Sequence, residues 1–297
     1  MNRSYAAPAA VIAVILFAGA GALAAQTLDT TLAVRSVTRL SVSNISGNVT
    51  IRSWGRQQLR IEAEYDRARV EVDDSPGRVT VRTIARRGDA DVDYTITVPT
   101  GTTVEVNAIS SDIDMTGVCG DVSLSSVSGD VSVDCAVGDV SVQSTSGDVS
   151  VTNIRGMLEA ASTSGDVDVS NVRGDVSAHS VSGDVSLSDV DGRTVGAETV
   201  SGSIEFSGRM ANDGRYTFEA HSGDVTVHAN GGLNASVLVS TYSGDFDSDF
   251  PVTINPGPHS SREWEFTVGS GGARLTLRSF SGSIYLRRGA GGARRED

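Results

Sequence analysis

From Gly120 onward the chain repeats one arrangement of apolar and polar positions every nine residues. Glycines stand at Gly120, Gly129, Gly138, Gly147, Gly156, Gly165, Gly174, Gly183 and Gly192, and most of them open the pattern Gly-Asp-Val-x-Val. With Gly as position 0, position +2 runs Val122, Val131, Val140, Val149, Leu158, Val167, Val176, Val185, Thr194. Position +4 runs Leu124, Val133, Val142, Val151, Ala160, Val169, Ala178, Leu187, Gly196. Alternation at +2 and +4 is the two-residue period of a strand with one buried face, and β-branched valine suits that surface. Position +7, from Val127 and Ala136 to Val190 and Thr199, is also uncharged and is expected to point inward. A period held this long takes precedence over local propensity, because each short unit buries its apolar side only by stacking on the next.

The residue before each Gly shows that two units make one turn. Every second one is serine, at Ser128, Ser146, Ser164 and Ser182, then at Ser201 after a one-residue insertion, whereas the other column reads Cys119, Val137, Arg155, Arg173, Asp191. The expected fold is all-β, a single parallel β-solenoid (β-helix) with about 18 residues per rung in the centre and longer rungs at both ends. Glycine is expected at the corners for its freedom to take positive φ, and the Asp after it to cap turn amides. No aromatic residue lies between Tyr94 and Phe206, as a narrow aliphatic core requires. The pattern divides the chain into residues 1–24, 25–103 as an N-terminal β region or cap, 104–202 as the regular repeat, 203–288 as a longer-rung region or cap, and a disordered tail at 289–297.

Composition places this coil outside the cytoplasm. Residues 1–24 carry Arg3, then an uncharged Ala-rich run and the small-x-small triplet Ala22-Leu23-Ala24, the pattern of a cleaved secretory signal peptide. The expected location is periplasmic, secreted or cell-surface, with no membrane span after cleavage. The net charge of −13, which becomes −14 when Arg3 leaves with the leader, repels phosphate backbones and argues against a nucleic-acid partner.

The order of features resembles the bacterial putative-adhesin β-solenoid family, a domain of unknown function. The resemblance rests on the Val98-Pro99 segment leading into the first regular rung, the Ser-Gly-Asp-Val run, and the closing Gly271-Gly272-Ala273-Arg274-Leu275 to Ser281-Gly282-Ser283-Ile284 pattern. It implies an extracytoplasmic β-helix more strongly than it implies adhesion.

Candidate chemistry is sparse. Asp130, Asp148, Asp166 and Asp184 form an unbroken column that is a candidate for weakly held divalent cations, although the glycine-carbonyl cage of calcium-binding nonapeptide rolls is missing. Cys119 and Cys135 are candidate disulfide partners in an exported chain, with two free thiols as the other reading. Arg87-Gly88-Asp89 and Arg173-Gly174-Asp175 spell an integrin-type tripeptide, and the second is simply an arginine before an ordinary corner. Asn44, Asn48 and Asn234 open glycosylation-type triplets. His179, His221, His228 and His259 are isolated, and no catalytic or metal-binding motif is present. The chain therefore reads as a non-enzymatic adhesin or envelope-binding scaffold with no cofactor, whose partner is an unidentified protein or glycan of the envelope or a surface. A polysaccharide-active β-helix enzyme and a calcium-dependent secreted roll are the alternatives. Most aromatics outside the leader, including Tyr216, Phe218, Tyr242, Trp264 and Phe266, cluster in the last third, where they fill a wider core or form a binding patch.

Overall fold

The structure is a computed structural model that describes residues 26–34, 39–85, 90–251 and 263–289. The leader, the Arg87-Gly88-Asp89 triplet, His259 and residues 290–297 of the expected tail lie outside the described residues. Within them, regular structure is entirely β-strand.

In the centre, neighbouring strands are parallel and one nonapeptide pair apart. One ladder pairs Val122 with Val140, Val140 with Leu158 and Leu158 with Val176. A second pairs Val131 with Val149, Val149 with Val167 and Val167 with Val185. The +2 and +4 side chains of both ladders are buried against each other in a thin aliphatic core. The one-residue insertion moves the register at the next rung. Val176 pairs with Val195, so Val195, Ala197 and Thr199 are buried, while Thr194 is exposed and Gly196 only half-buried.

The corners need glycine for conformation and for room. Positive φ, the reason expected from the repeat, holds at Gly129, Gly138, Gly156 and Gly174 (143°, 135°, 147° and 149°) but not at Gly147, Gly165 and Gly183, where room alone decides. A Cβ on Gly165 would stand 2.2 Å from the carbonyl oxygen of Gly147 one rung away, and one on Gly183 would stand 2.1 Å from that of Gly165. Successive backbones simply pass too close for a side chain.

Position +7 faces inward in only one of the two ladders. In the second ladder Ala136, Ile154, Val172 and Val190 are buried, whereas in the first Val127, Thr145, Thr163 and Val181 are exposed. The cause is a stacked column of left-handed residues at +6 of the second ladder. Gly117, Cys135, Asn153, Asn171 and Asp189 have φ of 73°, 60°, 59°, 52° and 52°. Each adds an outward residue that breaks the alternation and turns +7 inward. The first ladder has no such turn, and there +6 remains inside as Ser126, Ser144, Ser162, Ser180 and Thr199. Each buried hydroxyl donates to a carbonyl of the adjoining corner, Ser162 to Gly147 at 2.9 Å and Ser180 to Gly165 at 3.0 Å. A buried hydroxyl is tolerated because it is satisfied in this way.

The sheet is mixed, which corrects the expectation of an all-parallel coil. At the start, Arg39–Ser46 lies between Arg78–Ala85 and Thr103–Ser110, and Val49–Trp54 between Asp91–Pro99 and Ile113–Thr116, all parallel. At the finish, Ala273–Ser281 lies between Ile204–Ser222 and Ala235–Ser243, and Ile284–Arg288 between Val225–Asn230 and Phe246–Ser248. The first and last rungs of the chain are therefore each inserted one place inside the stack. Antiparallel strands lie outside them: Gln58–Asp66 on Asp91–Pro99, Gln26–Ala33 on Gln58–Asp66, Ala68–Ser75 on Arg78–Ala85, and Glu263–Val268 on Ala235–Ser243. Three of these covering strands carry Asp29, Glu71, Asp73, Asp74, Glu263 and Glu265, charges that discourage further edge pairing.

The two ends have different cores. Near the start, Asn44 donates to the Val92 carbonyl and to Ser111 Oγ. Thr83 Oγ1 bonds both Asn44 Oδ1 and the Tyr94 phenol at 2.8 Å. Burial pushes the Tyr94 phenol up to about 12. Near the finish, Phe206, Tyr216 and Phe218 are fully buried, with the Phe206 ring against both of the others. The Tyr216 hydroxyl donates to the Gly192 carbonyl at 2.8 Å. These aromatics fill a wider core, whereas Tyr242 lies outside it and is exposed.

Candidate functional site

The aspartate column is a structural device of the corners. Asp130, Asp148, Asp166 and Asp184 stack on adjoining rungs with Asp112. Each Oδ1 accepts the backbone N–H of the next Asp at 2.8–2.9 Å, and Asp184 accepts that of Ser203 at 2.7 Å. The carboxylates thus satisfy N–H groups that the parallel ladder leaves without partners at the bend. Among the described residues no group of three or more His, Cys, Asp or Glu side chains is placed to hold a metal ion. The opposite corner is looser: Asp139 N–H and Met157 N–H reach Asp121 and Asp139 at 3.4 Å. Asp168, on the outer face of the second ladder, has its carboxyl raised by burial and by Asp166, Asp148 and Asp184 nearby.

The structure does not join the two cysteines. Both are exposed free thiols, because Cys119 precedes a corner while Cys135 sits in the left-handed column two residues out of register with it. Gly174 of the Arg173-Gly174-Asp175 triplet is an ordinary corner. Asn44 is buried with its amide engaged, which closes that site to modification.

The feature that the repeat analysis missed lies between the two serine columns of the first ladder. A buried small residue at +6, serine or threonine on seven rungs and Ala108 or Ala220 on the other two, and an exposed serine at +8 flank an outward residue on every rung. In stack order these outward residues are Ile109, Val127, Thr145, Thr163, Val181, Val200, His221, Phe280 and Tyr242. Nine large hydrophobic side chains are exposed among the described residues, and six of them are in this one column, so the exposed apolar surface is organised rather than scattered. Val200 is 48%, Phe280 49% and Tyr242 60% exposed. The column ends in stacked rings: His221 and Phe280 lie 4.9 Å apart at 6°, and Tyr242 and Phe280 4.8 Å apart at 2°. That stack exists only because Ala273–Ser281 is inserted between the two earlier rungs.

Beside the aromatic end the first ladder forms an open groove of about 580 Å³, floored by His179, Glu198, Glu219 and Arg278. Glu198 and Glu219 are neighbours in register. Each has its own partner, since His179 Nδ1 lies 3.4 Å from Glu198 and Arg278 donates to Glu219 at 3.1 Å. The signal for the ridge was present as the recurring triplet Ser/Thr-x-Ser before Gly, seen in Ser162-Thr163-Ser164, Ser279-Phe280-Ser281 and Thr241-Tyr242-Ser243.

Stacked short strands joined at glycine corners, with a ridge along one face, define a class of all-β repeat proteins. Within that class the chain belongs to the Toastrack family, DUF4097, which it matches over residues 37–287. No curated protein is a significant match. The chain is similar to solved structures of a putative cell adhesion protein from Clostridium sporogenes (8% identity, TM-score 0.23, covering 89% of this chain and 100% of that one) and a putative adhesin from Bacteroides fragilis (14%, 0.39, 88% and 97%). A putative adhesin from Parabacteroides distasonis is a further neighbour (10%, 0.33, 88% and 97%).

Proposed function

We propose that the protein is a non-enzymatic, exported binding module of the adhesin kind, working at the cell envelope through the ridge of the first ladder. The observation that carries this reading is the concentration of exposed apolar side chains in one column that runs through nine successive rungs. A single rung offers little contact, but a rigid stack repeats it at fixed spacing and many weak contacts add. The leader supports export. The non-enzymatic reading is supported by the setting of Glu198 and Glu219: both stand in an open groove, whereas a carboxyl acting as general acid works from a dry, enclosed one. The finer description of the fold, a solenoid wound about a single axis with 18-residue rungs at its centre, belongs to the same reading and is supported by the central pairing.

The test is co-sedimentation of the purified protein with isolated bacterial envelopes. Wild type is expected in the pellet and Val200→Asp in the supernatant, with both melting alike because Val200 is exposed. Equal sedimentation of the two would contradict the assignment of the ridge.

A further inference from the structure

The charge around the ridge specifies what it would hold. Outward from the ridge come the exposed serines Ser110, Ser128, Ser146, Ser164, Ser182, Ser201, Ser222, Ser281 and Ser243, and then the corner residues, Ser111 on the first rung and glycine on the other eight. Over nine rungs these three columns contain no Asp, Glu or Arg, in a chain with 37 acidic residues and 24 arginines. His221 is the single imidazole among them. The strip thus offers one serine hydroxyl per rung beside a residue that is apolar or aromatic except at Thr145 and Thr163; at the aromatic end Glu198, Glu219 and Arg278 lie on its near side, and on most rungs an aspartate borders its far side. That border repels an anionic polymer, and a cationic one would be drawn to the carboxylates and away from the ridge.

Spacing narrows the choice further. Rungs repeat at about 4.8 Å, whereas an extended peptide returns a side chain to the same face only every ~6.6 Å, so a peptide along the axis falls out of step within a few rungs. A pyranose ring in an extended glycan advances by close to one rung, presenting hydroxyls at its rim and an apolar face of C–H groups. A second copy of the chain fits less well: a strip about 40 Å long and one or two side chains wide buries on the order of 400 Å² per partner, well short of the ~800 Å² typical of a stable interface.

We infer that the ridge binds a neutral, linear polysaccharide laid along the stack, with sugar hydroxyls on the serine column and sugar C–H faces on the column from Ile109 to Tyr242. The inference rests on the reading of the ridge as the binding surface. The stacked rings at the C-terminal end make that end the tightest part of the site, because aromatic groups add the most contact per rung.

The experiment is titration calorimetry of the purified protein with neutral glucan oligosaccharides of increasing length. An acidic polysaccharide and an extended apolar peptide are run alongside. Affinity is expected to rise with length and level off once the oligosaccharide spans the ridge. Val200→Asp and Phe280→Ala should each weaken binding at least about tenfold, and Ser150→Asp on the opposite ladder should leave it unchanged. If no neutral glucan binds, or if the acidic polymer or the peptide binds better, while Val200→Asp still abolishes envelope binding, the glycan assignment falls and the ridge stands. If Val200→Asp retains envelope binding, both fall.

Discussion

The centre of the stack and its two ends are built from the same strands but by different rules. In the centre, order along the chain is order in space: each strand pairs with the one a rung before and a rung after, as Val140 does with Val122 and Leu158. At the ends that order is broken, because Arg39–Ser46 and Ala273–Ser281 are each gripped on both sides by strands nearer the middle of the chain. Winding needs only local chemistry: a glycine where backbones touch, an aspartate for the corner N–H, and valine for the core. Termination needs long-range pairing, which lays antiparallel strands on Arg78–Ala85, Asp91–Pro99 and Ala235–Ser243 and leaves neither inserted rung at an edge.

The largest effect should come from testing that division directly. Removal of residues 149–166 deletes one full rung and rejoins Asp148 to Val167 in the context that Asp166 already provides, so a folded, cooperatively melting protein is expected. Removal of residues 269–297 takes the inserted rung out of the C-terminal end, strips the partner from both Ile204–Ser222 and Ala235–Ser243, and should abolish the cooperative melt. Comparable melts for the two deletions would show that the ends are merely more repeats.

Next in size are the glycines. Gly165→Ala forces a Cβ to 2.2 Å from a backbone oxygen and should cost about 3 kcal/mol in denaturant unfolding. Gly231→Ala, at a turn with φ of +82° and open space around it, should cost only about 1 kcal/mol for its conformation. A smaller effect of opposite sign is expected at Cys135, held at φ 60° in a column otherwise made of Gly, Asn and Asp. Cys135→Asn should stabilise by about 0.5 kcal/mol, because Asn tolerates that conformation better.

The smallest effect concerns Asp168. Its carboxyl is raised by burial and by Asp166, Asp148 and Asp184, so the charged form is disfavoured in the folded state. That penalty is full above the folded pKa, fades as pH falls from there toward the unfolded value and is gone below it. Asp168→Asn should therefore melt slightly higher than wild type near neutral pH and the same in acid, where a difference of equal size at both would point to another cause.

Much of the centre was legible because a nine-residue period exposes any column that holds one kind of residue. The valines, the glycines and Asp130 to Asp184 all appear that way. The inward reading of Val127 and Val181 failed because the left-handed turn at Asn153 and Asn171 resets the alternation in one ladder only, and an average over both ladders hides it. The ridge was hidden for a related reason: its residues run from isoleucine through threonine to tyrosine, so only the constant serine after each one, and the small residue before it, mark it. Neither inserted rung could be read, since nothing local to Arg274 or Leu275 says which of two earlier rungs will be its neighbour.

That insertion also creates the aromatic end of the ridge, so one measurement tests the fold and the site together. In a background lacking Cys119 and Cys135, pairs of cysteines are placed at Thr217 and Thr276, or at Thr217 and Leu238, and disulfide formation is scored after mild oxidation. Thr276 pairs in register with both Thr217 and Leu238 and so separates them. The account predicts a bond for Thr217→Cys with Thr276→Cys and none for Thr217→Cys with Leu238→Cys. A bond in the second pair alone would place the rungs in chain order, and would take Phe280 from between His221 and Tyr242.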